Sequence, residues 1–202
     1  MRTYVLPVIV LLSILAPAVA QESSAEAMRT AARNLLDALD EGQRETILHA
    51  FDSEERFDWH YVPKPDRKGL SLKQMEPDEV QLAHVLLVTS LSRTGYAKTV
   101  TVMSLEQVLR ELETAAGSTR AAEVRDPTKY HVTLFGEPSA GETWGWSLEG
   151  HHVSLNFTVI DGEVVASSPA FLGANPHTVP SGPRQGLRVL GAEEDRARAL
   201  LD

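Results

Sequence analysis

The chain contains no cysteine. That absence excludes disulfides, thiol nucleophiles, iron–sulfur clusters, cysteine-type zinc sites and lipoprotein anchoring together. Basic residues are also in short supply: 19 Lys and Arg stand against 28 Asp and Glu, for a net charge of −9. Phosphate-backbone binding draws on a basic surface, so nucleic acid is not an expected partner. A bilayer-spanning helix needs about 20 apolar residues, and no segment after the first twenty residues approaches that length without charges, so no stable membrane insertion is expected of the mature chain. The phosphate-binding G-x-x-x-x-G-K-[ST], the dinucleotide-binding G-x-G-x-x-G, the zinc motif H-E-x-x-H and the EF-hand spacing are all missing. The run Gly136-Glu137-Pro138-Ser139-Ala140-Gly141 has one residue too many for a nucleophile elbow, and a strand pattern follows it where the elbow requires a helix.

What is present is a 202-residue chain, 43% hydrophobic and 23% charged, long enough to bury one substantial core. Its first twenty residues have the form of a secretory signal: Arg2, an apolar stretch from Tyr4 to Leu15, and the small-x-small site Ala18-Val19-Ala20. Cleavage before Gln21 is expected, leaving residues 21–202 as a single α+β domain that is secreted or periplasmic.

Apolar residues at Met28, Ala32, Leu35, Leu36 and Leu39 recur at helical spacing after a capping Ser24, and this helix is predicted to end near Asp40-Glu41-Gly42. Ile47, Leu48 and Phe51 continue helical spacing, and Phe57, Trp59 and Tyr61 then alternate with polar residues as a strand would. Residues 64–73 read as an exposed turn-rich loop. Pro77 opens a helix predicted over 77–92 and buried on all sides, and a second long helix spans about 94–115. After Asp126-Pro127 the pattern changes to four strands at about 130–135, 143–148, 151–160 and 163–168, with Asp161-Gly162 a strong hairpin turn and Glu149-Gly150 a weaker one. Residues 171–188, rich in Gly and Pro, form a long loop. A short helix starts at 192 with Leu200 and Leu201 on a side that lacks a partner. The fold class is therefore α+β, with N-terminal helices packed on an antiparallel β-meander that ends in a long loop and a short helix.

A Glu149-Gly150 turn would oppose Trp146 to Val153 and Trp144 to Leu155 on an apolar face. The other face would carry Ser147, His152, Ser154 and Asn156 around the gap left by Gly145. Donors and acceptors that converge around a gap suit a ligand surface, and a solvated outer sheet face is the competing reading. On the first reading His152, Asn156 and His60 are the candidate catalytic residues, with Ser147, Ser154 and Asn175 as binding residues. A divalent metal is the cofactor such histidines could take, with His131 and either Asp58 or Glu149 completing the set, although neighbouring His151 and His152 would point to opposite faces of a regular strand. Two functions stay open: an exported enzyme acting on a small or peptide-like extracellular compound, and a non-catalytic exported binding or scaffold protein.

Several segments together resemble domain-of-unknown-function family 3500, found in exported bacterial and in fungal proteins. They are Trp59-His60-Tyr61-Val62-Pro63, Arg67-Lys68-Gly69-Leu70, Leu91-Ser92 with Gly95, Trp144-Gly145-Trp146, the run from Gly150 to Thr158, Gly173-Ala174-Asn175-Pro176, and Gly182-Pro183 followed by Gly186-Leu187-Arg188. The resemblance implies no reaction and no catalytic residue. It does imply a further histidine-containing region, which members similar to this one carry beyond the point where the present sequence stops.

Overall fold

A computed structural model describes residues 23–64 and 66–201, so the expected signal segment lies outside the described residues. Helix α1 (Ser24–Ala38) is capped one residue earlier than expected, by the Ser23 hydroxyl, which accepts from the Glu26 amide at 3.2 Å. Its face of Ala25, Met28, Ala31, Ala32, Leu35 and Leu36 is buried, following the three-and-four spacing of its apolar residues. Asp40 and Gln43 form a reciprocal capping box that starts a separate short helix, α2 (Glu41–Ile47). Leu48 and His49 then leave helical geometry and become strand β1 (Leu48–His49).

Helix α3 (Pro77–Ser90) carries proline in its first turn and packs on α1 through Ala83, Leu86 and Leu87. It is not buried all round: Val85 is 47% and Val88 52% exposed, because only one side of the helix meets the core. Helix α4 (Arg93–Ala115) is capped by Ser92 and buries Val102, Met103, Leu105, Val108 and Leu109. A single turn, α5 (Ala121–Val124), leads to the sheet.

Among the described residues the sheet has seven strands: β1, β2 (Leu70–Ser71), β3 (His131–Phe135), β4 (Trp144–Gly150), β5 (Val153–Ile160), β6 (Glu163–Ala166) and β7 (Ala170–Leu172). Strands β3 to β6 form the expected antiparallel meander, while β1 adds to β3 in parallel and makes the whole sheet mixed. Asp161 and Gly162 both adopt positive φ, 51° and 77°, as their hairpin requires.

The β4–β5 turn is displaced from its expected place. Gly150 pairs with Val153, so His151 and His152 form the turn, and Trp146 opposes Phe157 where Val153 was expected. That shift of four residues is even, so the faces survive it: Trp144, Trp146, Leu148, Val153, Leu155 and Phe157 all enter the core, with the Trp146 and Phe157 rings stacked 4.9 Å apart. The cause is steric. Gly150 lies flat beneath the Tyr130 ring, where a Cβ would approach within 2.2 Å, and His152 takes the left-handed conformation at φ 62°.

The opposite sheet face is not solvated. Thr133, Ser147, Glu149 and Ser154 are all buried, and β4 is buried along its whole length. The segment of residues 57–64 and 66–69 lies against this face at Glu149 and Thr133, and its Phe57, Trp59 and Tyr61 form no strand. Side chains capture its carbonyls in place of a ladder: Arg67 donates to His60 O at 3.0 Å and to Val62 O, and Lys68 donates to Asp58 O. The His152 amide takes Tyr61 O at 2.8 Å.

Residues 173–190 are held against α4 by Val179, which packs on Leu105 and Val108, and by Arg184, which donates to the Ser104 hydroxyl at 2.8 Å. Helix α6 (Gly191–Arg198) follows, with Leu200 and Leu201 87% and 88% exposed, as their pattern led us to expect. Among the described residues no helix is long and apolar enough to cross a membrane.

Leu35 and Leu86 are wholly inaccessible at the α1–α3 contact. Leu86→Ala is expected to cost about 2–5 kcal/mol in urea unfolding, and Val88→Ala on the exposed side of the same helix about 0.5 kcal/mol or less.

Candidate functional site

Tyr130, at the entry to β3, donates from its buried hydroxyl to His151 O at 2.9 Å and so ties down the β4–β5 turn. Burial, and next the charge of Glu106, push the phenol well above its ordinary range and keep it a donor. The turn thereby presents His151 to α4, where Glu106 is nearly inaccessible and accepts a short hydrogen bond from His151 Nδ1. With Nδ1 engaged, Nε2 is the ring nitrogen left to meet a ligand. Arg125, just after α5, completes the group. Its Nη1 lies 3.3 Å from His151 Nδ1 and 3.9 Å from Glu106 Oε2, while Nε and Nη2 hold Glu113 at 2.9 and 2.8 Å.

Glu106, Arg125 and His151 line a cavity of about 550 Å³, walled on its other sides by Pro63, Tyr130 and His131. A volume of this order lies within the usual ~300–1,000 Å³ of small-molecule sites. His131, on β3, approaches Gly69 O at 3.3 Å, and burial lowers its pKa.

A second charged cluster underlies the covering segment. Glu149 is buried on the face of β4 opposite the tryptophans, with Lys68 Nζ at 2.8 Å and Arg67 Nη1 at 3.8 Å, both cations being 5% exposed or less. The His60 amide adds a long contact to Glu149 at 3.4 Å. Arg67 also lines the cavity, so this cluster sets the position of one cavity wall.

None of the six residues singled out from sequence lines the cavity. His152, expected on the strand face beside Ser154 and Asn156, is in the turn instead because of the register shift. Its ring lies 4.1 Å from that of His151, and its Nδ1 is buried without a partner. Burial, and then the neighbouring His151, lower its pKa. His60 pairs with Asp58 at 2.7 Å. Asn156 spans the β5–β7 edge, donating to Pro169 O at 2.8 Å and to the Ser154 hydroxyl at 3.1 Å. Ser147 and Ser154 are inaccessible, and Asn175 is exposed in the 173–190 loop. The gap at Gly145 is occupied by backbone, since a Cβ there would meet Phe157 O at 2.6 Å. No group of three or more His, Asp or Glu side chains able to hold a metal ion forms among the described residues.

Glu106 and Arg125 were missed, although one signal was available. Glu106 lies four residues after Val102 and three before Leu109, on the apolar face of α4, where a carboxylate needs a partner.

Glu149→Gln is expected to strand two buried cations and to cost about 3–5 kcal/mol in chemical unfolding, whereas Asp58→Asn, at a half-exposed pair, should cost about 1 kcal/mol or less. The pKa values of His84, His131 and His152 are all lowered, with burial the leading cause. The folded chain thus binds fewer protons than the unfolded chain below the ordinary histidine pKa of about 6.5. Stability should be complete above that pH and fall as pH drops below it. A melting temperature that stayed flat from pH 7.5 to 5 would contradict this.

A family model of the protein family of unknown function DUF3500 matches residues 21–202. No curated protein and no solved structure gives a significant match. The matched region takes in the covering segment, the cavity and the turn that carries His151, and the chain belongs to the DUF3500 family.

Proposed function

We propose that the protein is exported, with residues 1–20 removed, and acts as an enzyme on a small or peptide-like extracellular compound held in the cavity beside His151. The observation that carries this reading is the Glu106–His151 pair. A buried carboxylate fixes the ring through Nδ1 on the wall of a cavity of ligand size. In that arrangement Nε2 takes a proton from the reacting group and returns it, and Glu106 stabilises the imidazolium formed between the two steps. Tyr130 positions the ring through its backbone, and Arg125 stands 3.9 Å from the carboxylate. The reading relocates the chemistry from the strand face expected to carry His152, Ser154 and Asn156 to the turn, at the residue next to His152.

The second reading, binding without turnover, draws support from Arg125. Its guanidinium lies 3.3 Å from His151 Nδ1, a fixed cation facing the ring nitrogen that Glu106 engages. The two readings are separated by screening esters, amides, lactones and phosphate esters for turnover. The enzymatic reading expects turnover of at least one class, and a loss of about 10²–10⁴-fold in His151→Asn with folding intact. Absence of turnover in every class would favour the binder, and full activity in His151→Asn would contradict the role given to His151. Mass spectrometry of secreted material tests export: a mature chain beginning at Gln21 is expected, and one retaining Arg2 would contradict it.

A further inference from the structure

The cavity is basic in a protein whose overall charge is −9. Six cationic side chains line it, Lys64, Arg67, Lys73, Arg120, Arg125 and Lys129, against the carboxylates of Glu106, Glu123 and Asp126. Four of the six are engaged by carboxylates. Lys64 holds Asp58 at 3.4 Å, Arg67 faces Glu149 at 3.8 Å from a buried position, Lys73 holds Asp126 at 2.8 Å, and Arg125 holds Glu113. In the Lys73 pair, burial works to raise the Asp126 pKa, but hydrogen bonds from Lys73 and Thr128 outweigh it and lower the value to about 2, so that lysine stays neutralised.

Arg120 and Lys129 differ from the rest. The nearest carboxylate oxygen to Arg120 is Glu123 Oε2 at 3.8 Å, beyond hydrogen-bond distance, and that guanidinium is 75% exposed. Lys129 Nζ donates to a backbone carbonyl, Glu123 O, at 2.6 Å. Both line the cavity without a hydrogen bond to a carboxylate, together with Pro63, Val124 and Tyr130. Exposed cations beside apolar side chains favour a molecule with an anionic end and an apolar body, which an inorganic anion lacks.

Resting on the reading of this cavity as the functional site, we infer that its substrate is a small organic carboxylate, its anionic end held by Arg120 and Lys129 and its apolar body laid over Val124 and Pro63 toward His151. Electrostatic attraction to the two cations weakens with ionic strength, and contact with the apolar side chains does not.

The test uses 3-phenylpropanoate, its uncharged amide and inorganic phosphate as probes, with the full mature chain and binding read by NMR titration at low salt. The carboxylate is expected to bind at least tenfold more tightly than the amide and to shift Val124 and His151 resonances. Phosphate should bind more weakly than the carboxylate. The double variant Arg120→Gln/Lys129→Gln, altered at exposed positions, should lose at least tenfold in affinity for the carboxylate and leave amide binding unchanged. Equal binding of carboxylate and amide, an unaffected double variant, or phosphate binding as tightly as the carboxylate would each overturn the inference. Because binding is measured without turnover, His151→Asn should retain carboxylate affinity even where the enzymatic reading fails.

Discussion

A carboxylate cannot be left uncompensated inside a protein, and Glu149 stands in the middle of a strand that is buried from end to end. Its charge is answered by Lys68 and Arg67, which arrive from a segment with no regular structure. Having been drawn onto the sheet, the two cations use their remaining donors on the carbonyls of Asp58, His60 and Val62. The covering segment is thus assembled around the carboxylate, and its path through Pro63 and Arg67 forms one side of the cavity. The buried polar sheet face and one wall of the cavity both follow from compensating this one carboxylate.

The opposite side of the cavity depends on a packing constraint. Tyr130 needs a flat surface for its ring and an acceptor for its hydroxyl, and Gly150 and His151 O supply them. The turn is pushed two residues beyond the place that turn propensity alone favours, and a histidine takes the left-handed position. One outcome of that displacement is that His151 meets Glu106, from a helix 45 residues earlier in the chain. The site therefore joins three elements with few local signals in common: the middle of α4, the exit of α5 and a hairpin turn.

This explains which parts could be read from the sequence. Helix positions followed from periodicity, since burial of one helix face is a local pattern, and the strands of the meander followed from alternation and the Asp161-Gly162 turn. The core side of β4 and β5 was legible because an even register shift leaves side-chain direction unchanged. The path of Phe57 to Tyr61 was not, because its carbonyls are satisfied by side chains from Arg67 and Lys68, an arrangement that leaves no periodic trace. The position of His152 was lost for a similar reason: the turn answers to the Tyr130 ring, 21 residues away from the residue its hydroxyl binds. Glu106 did leave a trace as an acid on an apolar helix face, but nothing local named its partner.

The account depends most on the fixed tautomer of one ring. Nitrogen-15 NMR of the imidazole of His151 at neutral pH measures it directly. A proton held on Nδ1 by Glu106 is expected, with the Nε2 signal moving when a carboxylate probe is added. A proton resident on Nε2 alone, or a ring signal indifferent to any ligand in the cavity, would contradict it.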